Sequence, residues 1–190
     1  MNRAHITALQ EAVGTEADGF WGPKSIAACK QHLLNLMPEP NPWPAPSQHA
    51  LTDFFGDPYD NSEIVPIDAP TWMRLYDTDT QVQKIFCHVM VADSLIDALE
   101  DAYDSAPRFV SRFFGCHVDR NIRGGTKPST HAYGAAIDLA ASTNGNHTHW
   151  PLQADMPLSV MEAFARRGWT PAGAFWSRDA MHFQAARPYS

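Results

Sequence analysis

The sequence predicts an α+β fold, a mainly antiparallel sheet with flanking helices, preceded by a small helical N-terminal segment. Its 190 residues suffice for one well-buried domain with a small remainder. Prolines at 38, 40, 42, 44 and 46 in MPEPNPWPAPS mark where that remainder ends. From residue 83 on, the apolar pattern runs helix, strand, strand, helix, strand, the order of an α+β domain. The expected organisation is a helical segment over 1–36, a Pro-rich linker over 37–47 and a main domain over 48–190.

Residues 6–13 predict a short helix, and Ala17-Asp18-Gly19 a turn whose glycine accepts positive φ. A second helix opens at Gly22-Pro23, where proline is tolerated in the first turn, and runs toward Leu36. Alternate prolines rule out a helix over 37–47. They leave either a semi-extended spacer or a segment wrapped onto the main domain and pinned by Trp43. No period is evident over 48–82, where irregular structure is expected. Over 83–103, Ile85, Val89, Ala92, Ile96, Leu99 and Tyr103 fall at helical spacing and predict one long helix, with His88 beside its stripe as a packing or surface residue. Aromatic and branched residues predict a strand over 109–118, and Gly124-Gly125 with Pro128 mark a loop after it. A second strand is expected over 135–140. A helix opens near Pro157 and is closed by Gly168, and a last strand spans 180–185.

Hydrophobic residues make up 44% and charged residues 18% of the chain, which excludes a disordered polymer. A net charge of -7 without any Lys/Arg run argues against nucleic acid as a partner. No run of apolar residues is long enough for membrane insertion. The start, MNRAHITALQEAVG, lacks the apolar core of a signal peptide, so synthesis in the cytoplasm is expected, and a monomer is the expected state. Cys29, Cys87 and Cys116 are odd in number and far apart, and read as small buried hydrophobes rather than a disulfide framework or thiolate metal site.

The chemistry must therefore come from other residues. In STHAYGAAID, His131 and Asp138 stand seven apart with Gly134 between them where the chain can turn; near the end, Asp179 and His182 form a second acid and histidine pair. Two imidazoles and a carboxylate can hold Zn2+ and leave a fourth position for water, the arrangement of a catalytic zinc. That spends His131, Asp138 and His182 as ligands and leaves Asp179 as a base. A spacing of three would put Asp179 and His182 on opposite faces of a strand, so Asp179 is expected in the loop before it, pointing back at the metal. His147 and His149 are expected to be loop residues near the cleft, since no acid or cysteine stands at ligand spacing beside them.

The pattern S-x-H-x-x-G-x-A-x-D followed by D-x-M-H-F resembles the zinc peptidases of the D-alanyl-D-alanine carboxypeptidase and L-alanyl-D-glutamate endopeptidase family, over about residue 83 to the end. Gly115, Arg120, Ile122, Arg123 and Gly124, with Gly168-Trp169, Gly173 and Trp176, are similar to its phage-type branch. The resemblance implies His131, Asp138 and His182 as zinc ligands and Asp179 as catalytic base. It also implies an arginine, Arg120 or Arg123, stabilising an oxyanion or a substrate carboxylate. Tyr133 and Trp176 are expected on the substrate side. Ser129 either joins them or caps its loop. The core Asp18-Gly19-Phe20-Trp21-Gly22-Pro23-Lys24 resembles a small peptidoglycan-binding module, here with two helices instead of three. It reads either as a wall-binding unit or as a hairpin packed on the main domain.

The implied function is hydrolysis of peptide bonds in bacterial peptidoglycan, with the phage or prophage endolysin as the implied role and the cell wall as the place of action. The motifs leave open an endopeptidase or the removal of terminal D-Ala. Two other readings are a non-catalytic wall-binding or virion structural protein with a retained zinc site, and a zinc hydrolase of another small peptide or amide.

Overall fold

The computed structural model describes residues 2–189. Helix α1 (Arg3–Ala12) is capped by Asn2, whose side chain accepts from His5 N at 3.0 Å, and α2 (Pro23–Leu36) carries Pro23 in its first turn. The buried Gln10 carboxamide ties the intervening turn to both helices: Nε2 donates to Asp18 Oδ1 and Ser25 Oγ, and Oε1 accepts from Gly19 N. Cys29 and Leu33 of α2 are buried in the same core as the rest of the chain.

Residues 37–47 lie on the main domain. The Trp43 indole is buried, donates to Arg167 O at 2.8 Å, and meets Trp169 edge-on at 6.0 Å. Asn41 Nδ2 donates to Gly168 O at 3.0 Å and Arg187 N to Pro44 O at 2.9 Å. Proline gives up backbone donors, and here the segment is held by its side chains and carbonyls instead.

The stretch 48–82, expected to be irregular, contains α3 (Gln48–Phe55), β1 (Ile64–Asp68) and the two-residue β2 (Arg74–Leu75). These elements are too short to set up a visible period, although Ser47 caps α3 by accepting from Ala50 N. The long helix expected over 83–103 is corrected: β3 (Lys84–His88) comes first, a 3-10 turn follows at Val89–Val91, and α4 (Ala92–Ser105) takes the remainder. Ile85 and Cys87 are buried while Lys84 and Phe86 are exposed, a period of two that pairs β3 antiparallel with β1. Helical spacing through Ile85 and Val89 is a coincidence of position. The strand expected over 109–118 is likewise split into α5 (Pro107–Val110), where proline opens the turn, and β4 (Arg112–Gly115).

The remaining elements are β5 (Ala136–Leu139), α6 (Ala141–Asn144), α7 (Leu158–Arg166), β6 (Thr170–Pro171), α8 (Ala172–Trp176) and β7 (His182–Gln184). The main sheet has the order β2-β4-β5-β7-β6, antiparallel except for the β2–β4 pair. α4 and α7 pack together over it, and Phe164 of α7 stacks on Phe183 of β7 at 4.2 Å. This is the α+β class that the sequence predicts. Central strands β5 and β7 are buried along their whole length, so whatever polar groups they carry must be satisfied inside the protein.

Trp43→Ala is expected to remove about 3–5 kcal/mol of unfolding free energy, as for other buried aromatic truncations, measured by urea denaturation. His88 generates a pH prediction. Its Nε2 is 3.0 Å from Phe55 O and its Nδ1 accepts from Met90 N at 3.2 Å, so the neutral ring uses both nitrogens. Burial holds its pKa below the ordinary value, the Phe55 carbonyl opposing only in part. As pH falls through the ordinary histidine range near 6.5, the unfolded chain takes up a proton that the folded ring refuses, so stability is lost toward acid. His88→Gln should therefore lose less unfolding free energy between pH 7.5 and 5.5 than the native chain, read by denaturant titration at both pH values.

Candidate metal centre and cleft

Strand pairing brings the first two candidate ligands together. Asp138 of β5 and His182 of β7 are register partners, so their side chains stand side by side on one face. His131 arrives from a 3-10 turn, Thr130–Tyr133, that Ser129 caps by accepting from His131 N at 3.4 Å. The chain then reverses at Gly134 with φ +64, where a Cβ would fall 2.6 Å from His88 N. Only glycine supplies both the left-handed conformation and that close approach.

His131 Nδ1 lies 2.6 Å from Cys116 O, so this ring carries its N–H there and turns a lone pair on Nε2 inward. His182 Nε2 lies 3.2 Å from Gln184 Oε1, which also accepts from Thr130 Oγ1, and the lone pair of this ring is on Nδ1. The two inward nitrogens are 3.1 Å apart, and Asp138 Oδ1 is 3.2 Å from His131 Nε2 and 3.0 Å from His182 Nδ1. Three buried acceptors facing one another are relieved either by a proton shared among them or by a metal cation between them. Zinc bonds of about 2.0–2.1 Å in a tetrahedron put ligand atoms about 3.3–3.4 Å apart, close to the observed triangle. The residues fit zinc, and two imidazoles with one carboxylate are a donor set that suits it. Burial works against charge on Asp138, yet the charges and hydrogen bonds of His131 and His182 outweigh it and hold the carboxyl far below the usual range. For His182, burial is outweighed by the hydrogen bond and charge of Asp138, which hold its pKa above the ordinary value.

Asp179 lies in the loop before β7, as its spacing from His182 requires. It adopts φ +59, a left-handed conformation that aspartate tolerates better than most residues, and its carbonyl accepts from His182 N at 3.0 Å. Its Oδ1 is buried without a hydrogen-bond partner among the described residues, and burial raises its pKa, the nearby histidines opposing only in part.

These groups line a cleft of about 560 Å³. Arg120 and Arg123 both face it from a hairpin closed by the Asn121–Pro128 bridge, and Ser129, Trp176 and His147 also line it. Trp176 stacks on the His182 ring at 5.4 Å. Tyr133 does not meet the expectation of a substrate-facing residue: it is buried, absent from the cleft wall, and its hydroxyl bonds Gln48 Oε1 at 3.2 Å and Thr52 Oγ1 at 3.0 Å. Sequence reasoning missed Gln184, Thr130, the Cys116 carbonyl, Arg178 and Gln48. Gln184 had a signal, because a residue two after His182 in a strand shares its face. Arg178 was legible only as the neighbour of Asp179. Gln48 donates to Pro128 O at 3.0 Å from 80 residues away, and nothing local announces it.

Residues 123–185 match the family model described as D-alanyl-D-alanine carboxypeptidase. The match covers about a third of the chain, contains His131, Asp138, Asp179 and His182, and supports a metallopeptidase. Comparisons with curated proteins and with solved structures find no match. Among the described residues no helix is long and apolar enough to cross a membrane.

Zinc at a thousandfold excess over its dissociation constant should add about 4 kcal/mol of stability to the metal-free chain. For a protein of this size that is a rise in Tm of roughly 8–16 °C, reversed by a chelator and absent in His182→Ala, read by scanning calorimetry.

Proposed function

We propose that the chain is a zinc-dependent peptidase that hydrolyses peptide bonds in bacterial peptidoglycan. The observation that carries this is the unpartnered Asp179 carboxylate oxygen in the same cleft as three converging metal-ligand atoms. A purely structural metal site has no use for a spare buried acid, whereas amide hydrolysis requires one.

His131, Asp138 and His182 would hold zinc, which when bound would supply Lewis acidity and lower the pKa of water toward neutrality. Asp179 takes the proton of the attacking water and returns it to the leaving amine. A carboxyl raised by burial is a better base than an exposed aspartate and a competent acid on the return step. Arg120 and Arg123 present guanidinium groups along the cleft, one for charge developing on the scissile carbonyl and the other for a substrate carboxylate. Arg120 is the half-buried member of the pair, its Nη1 anchored on Asn121 O at 3.3 Å, and takes the first role.

An endolysin role, in which the enzyme of a phage or prophage opens the host wall, is supported by the joining of this cleft to an N-terminal segment with the Asp18-Gly19-Phe20-Trp21-Gly22-Pro23-Lys24 core. An endopeptidase cut is preferred over removal of a terminal D-Ala, because an enzyme held near an insoluble polymer gains from repeated internal cuts.

The test is peptide release from purified peptidoglycan. Native protein should release peptides with new amino ends, chelation should stop this and zinc restore it. Asp179→Ala should keep its zinc while kcat falls by roughly 10²–10⁴, the range for loss of a general base. Mass spectrometry of the fragments identifies the bond. A zinc-loaded native protein that binds walls and releases nothing overturns the proposal in favour of a wall-binding or structural role.

A further inference from the structure

We infer that the cleft continues beyond the metal centre into a second subsite, walled by α2, that binds a carboxylate-bearing distal part of the same peptide substrate. This rests on the peptidase reading above. A smaller cavity of about 150 Å³ adjoins the cleft, and Pro46, Trp176, Gln184 and Tyr189 line both. These four residues stand at the boundary between the two spaces. Tyr189 Oη donates to Pro46 O at 3.2 Å, so the proline strap and the C-terminal end of the chain are joined where the two spaces meet.

The far wall comes from the N-terminal segment. Cys29 and Leu33, four residues apart on α2, are buried against the main domain, and the neighbouring pair Lys30 and Leu34, also four apart, lines the small cavity. The wall is fixed in place. His32 Nε2 pairs with Glu162 Oε1 of α7 at 2.7 Å, and Trp21, just before α2, meets Trp150 edge-on at 5.4 Å.

The lining specifies the ligand. Lys30 is half-buried and makes no ion pair among the described residues, and no acidic residue lines the small cavity. The large cleft adds Arg120, Arg123 and Arg178, against Asp138 and Asp179 as its acids. In a chain of net charge -7, a groove with positive groups at both ends selects an anionic chain. The exposed faces of Leu34, Trp176 and Tyr189 between those ends suit aliphatic side chains. An extended peptide with carboxylates set several residues apart matches this order. A neutral peptide does not use Lys30, and a ligand confined to the metal centre does not reach it.

The test measures equilibrium binding to full-length, zinc-loaded protein carrying Asp179→Asn to prevent turnover, by tryptophan fluorescence. The probes are the peptidoglycan stem pentapeptide and the dipeptide L-alanyl-D-glutamate. Lys30→Glu should weaken pentapeptide binding roughly 5–10-fold at low salt and leave the dipeptide unchanged, the size expected of one lost or reversed exposed ion pair. Lys30→Arg should retain affinity, and Lys24→Glu, the same charge change on an exposed part of α2 outside the groove, should have no effect. Equal pentapeptide affinity with and without the Lys30→Glu change, an equal loss in Lys24→Glu, or no pentapeptide binding at all overturns the inference. Hydrolysis by the native chain is assayed in parallel. Turnover with binding that does not depend on Lys30 sinks the subsite and leaves the peptidase, whereas binding that depends on Lys30 without turnover sinks the peptidase and leaves the subsite.

Discussion

Three lone pairs are held face to face in the interior of this protein, and much of the architecture exists to keep them there. His131 Nε2, His182 Nδ1 and Asp138 Oδ1 stand 3.0–3.2 Å from one another. Left alone, such a triangle relaxes by turning a ring or admitting a proton. The outer hydrogen bonds oppose the first escape: Cys116 O fixes one ring and Gln184 Oε1 the other, so neither imidazole can turn without abandoning a buried partner. The β5–β7 register fixes the carboxylate beside His182, and the backbone at Gly134 brings His131 back over both. A site assembled this way carries its electrostatic cost in the folded protein, and a divalent cation bound there would relieve it.

The parts of this arrangement that are legible in the sequence are those in which chemistry and local geometry coincide. His131, Asp138 and His182 are polar residues in otherwise apolar runs, and a polar residue there needs a reason. Asp179 follows from parity, since three residues from His182 it cannot share a strand face, and the loop position results. The strand over 84–88 is illegible for a complementary reason. Ile85, Val89 and Ala92 satisfy a helical spacing, while Ile85 and Cys87 satisfy a strand spacing, and only the partner strand β1 decides between them. Tyr133 misleads because proximity in sequence to His131 is not proximity to the cleft: the 3-10 turn sends residue 131 to the cleft side and residue 133 toward α3. The Cys116 carbonyl has no residue type to betray it.

The matched family region begins at residue 123, but the working cleft does not. Cys116 O orients the His131 ring, Arg120 faces the cleft, and Gln48 braces both the arginine hairpin and the turn behind His131 by donating to Pro128 O while accepting from Tyr133 Oη. Pro46 lines the cleft as well, and α2 lines the smaller cavity beside it. The N-terminal third is therefore a structural part of the cleft as well as a segment with its own sequence signature. Its Trp43 and Asn41 bond the carbonyls that end α7, the helix that packs behind β7. Loosening the strap would be felt at the candidate metal site through that chain of contacts.

Charge settles how an acidic protein would serve an acidic polymer in the proposed function. A net charge of -7 spread over the surface acts through water and salt, where fields fade within a Debye length of about 8–10 Å. Inside a partly enclosed cleft the nearest groups dominate, and there Arg120, Arg123 and Arg178, with Lys30 in the adjoining cavity, outnumber Asp138 and Asp179. Under the proposed function, the global charge would oppose non-specific adhesion to an anionic wall, while the local charge would favour a peptide that enters in the right direction. An enzyme with the proposed function, which would have to leave one strand of an insoluble substrate to reach the next, would benefit from that division, because tight indiscriminate binding would hold it at the first cut.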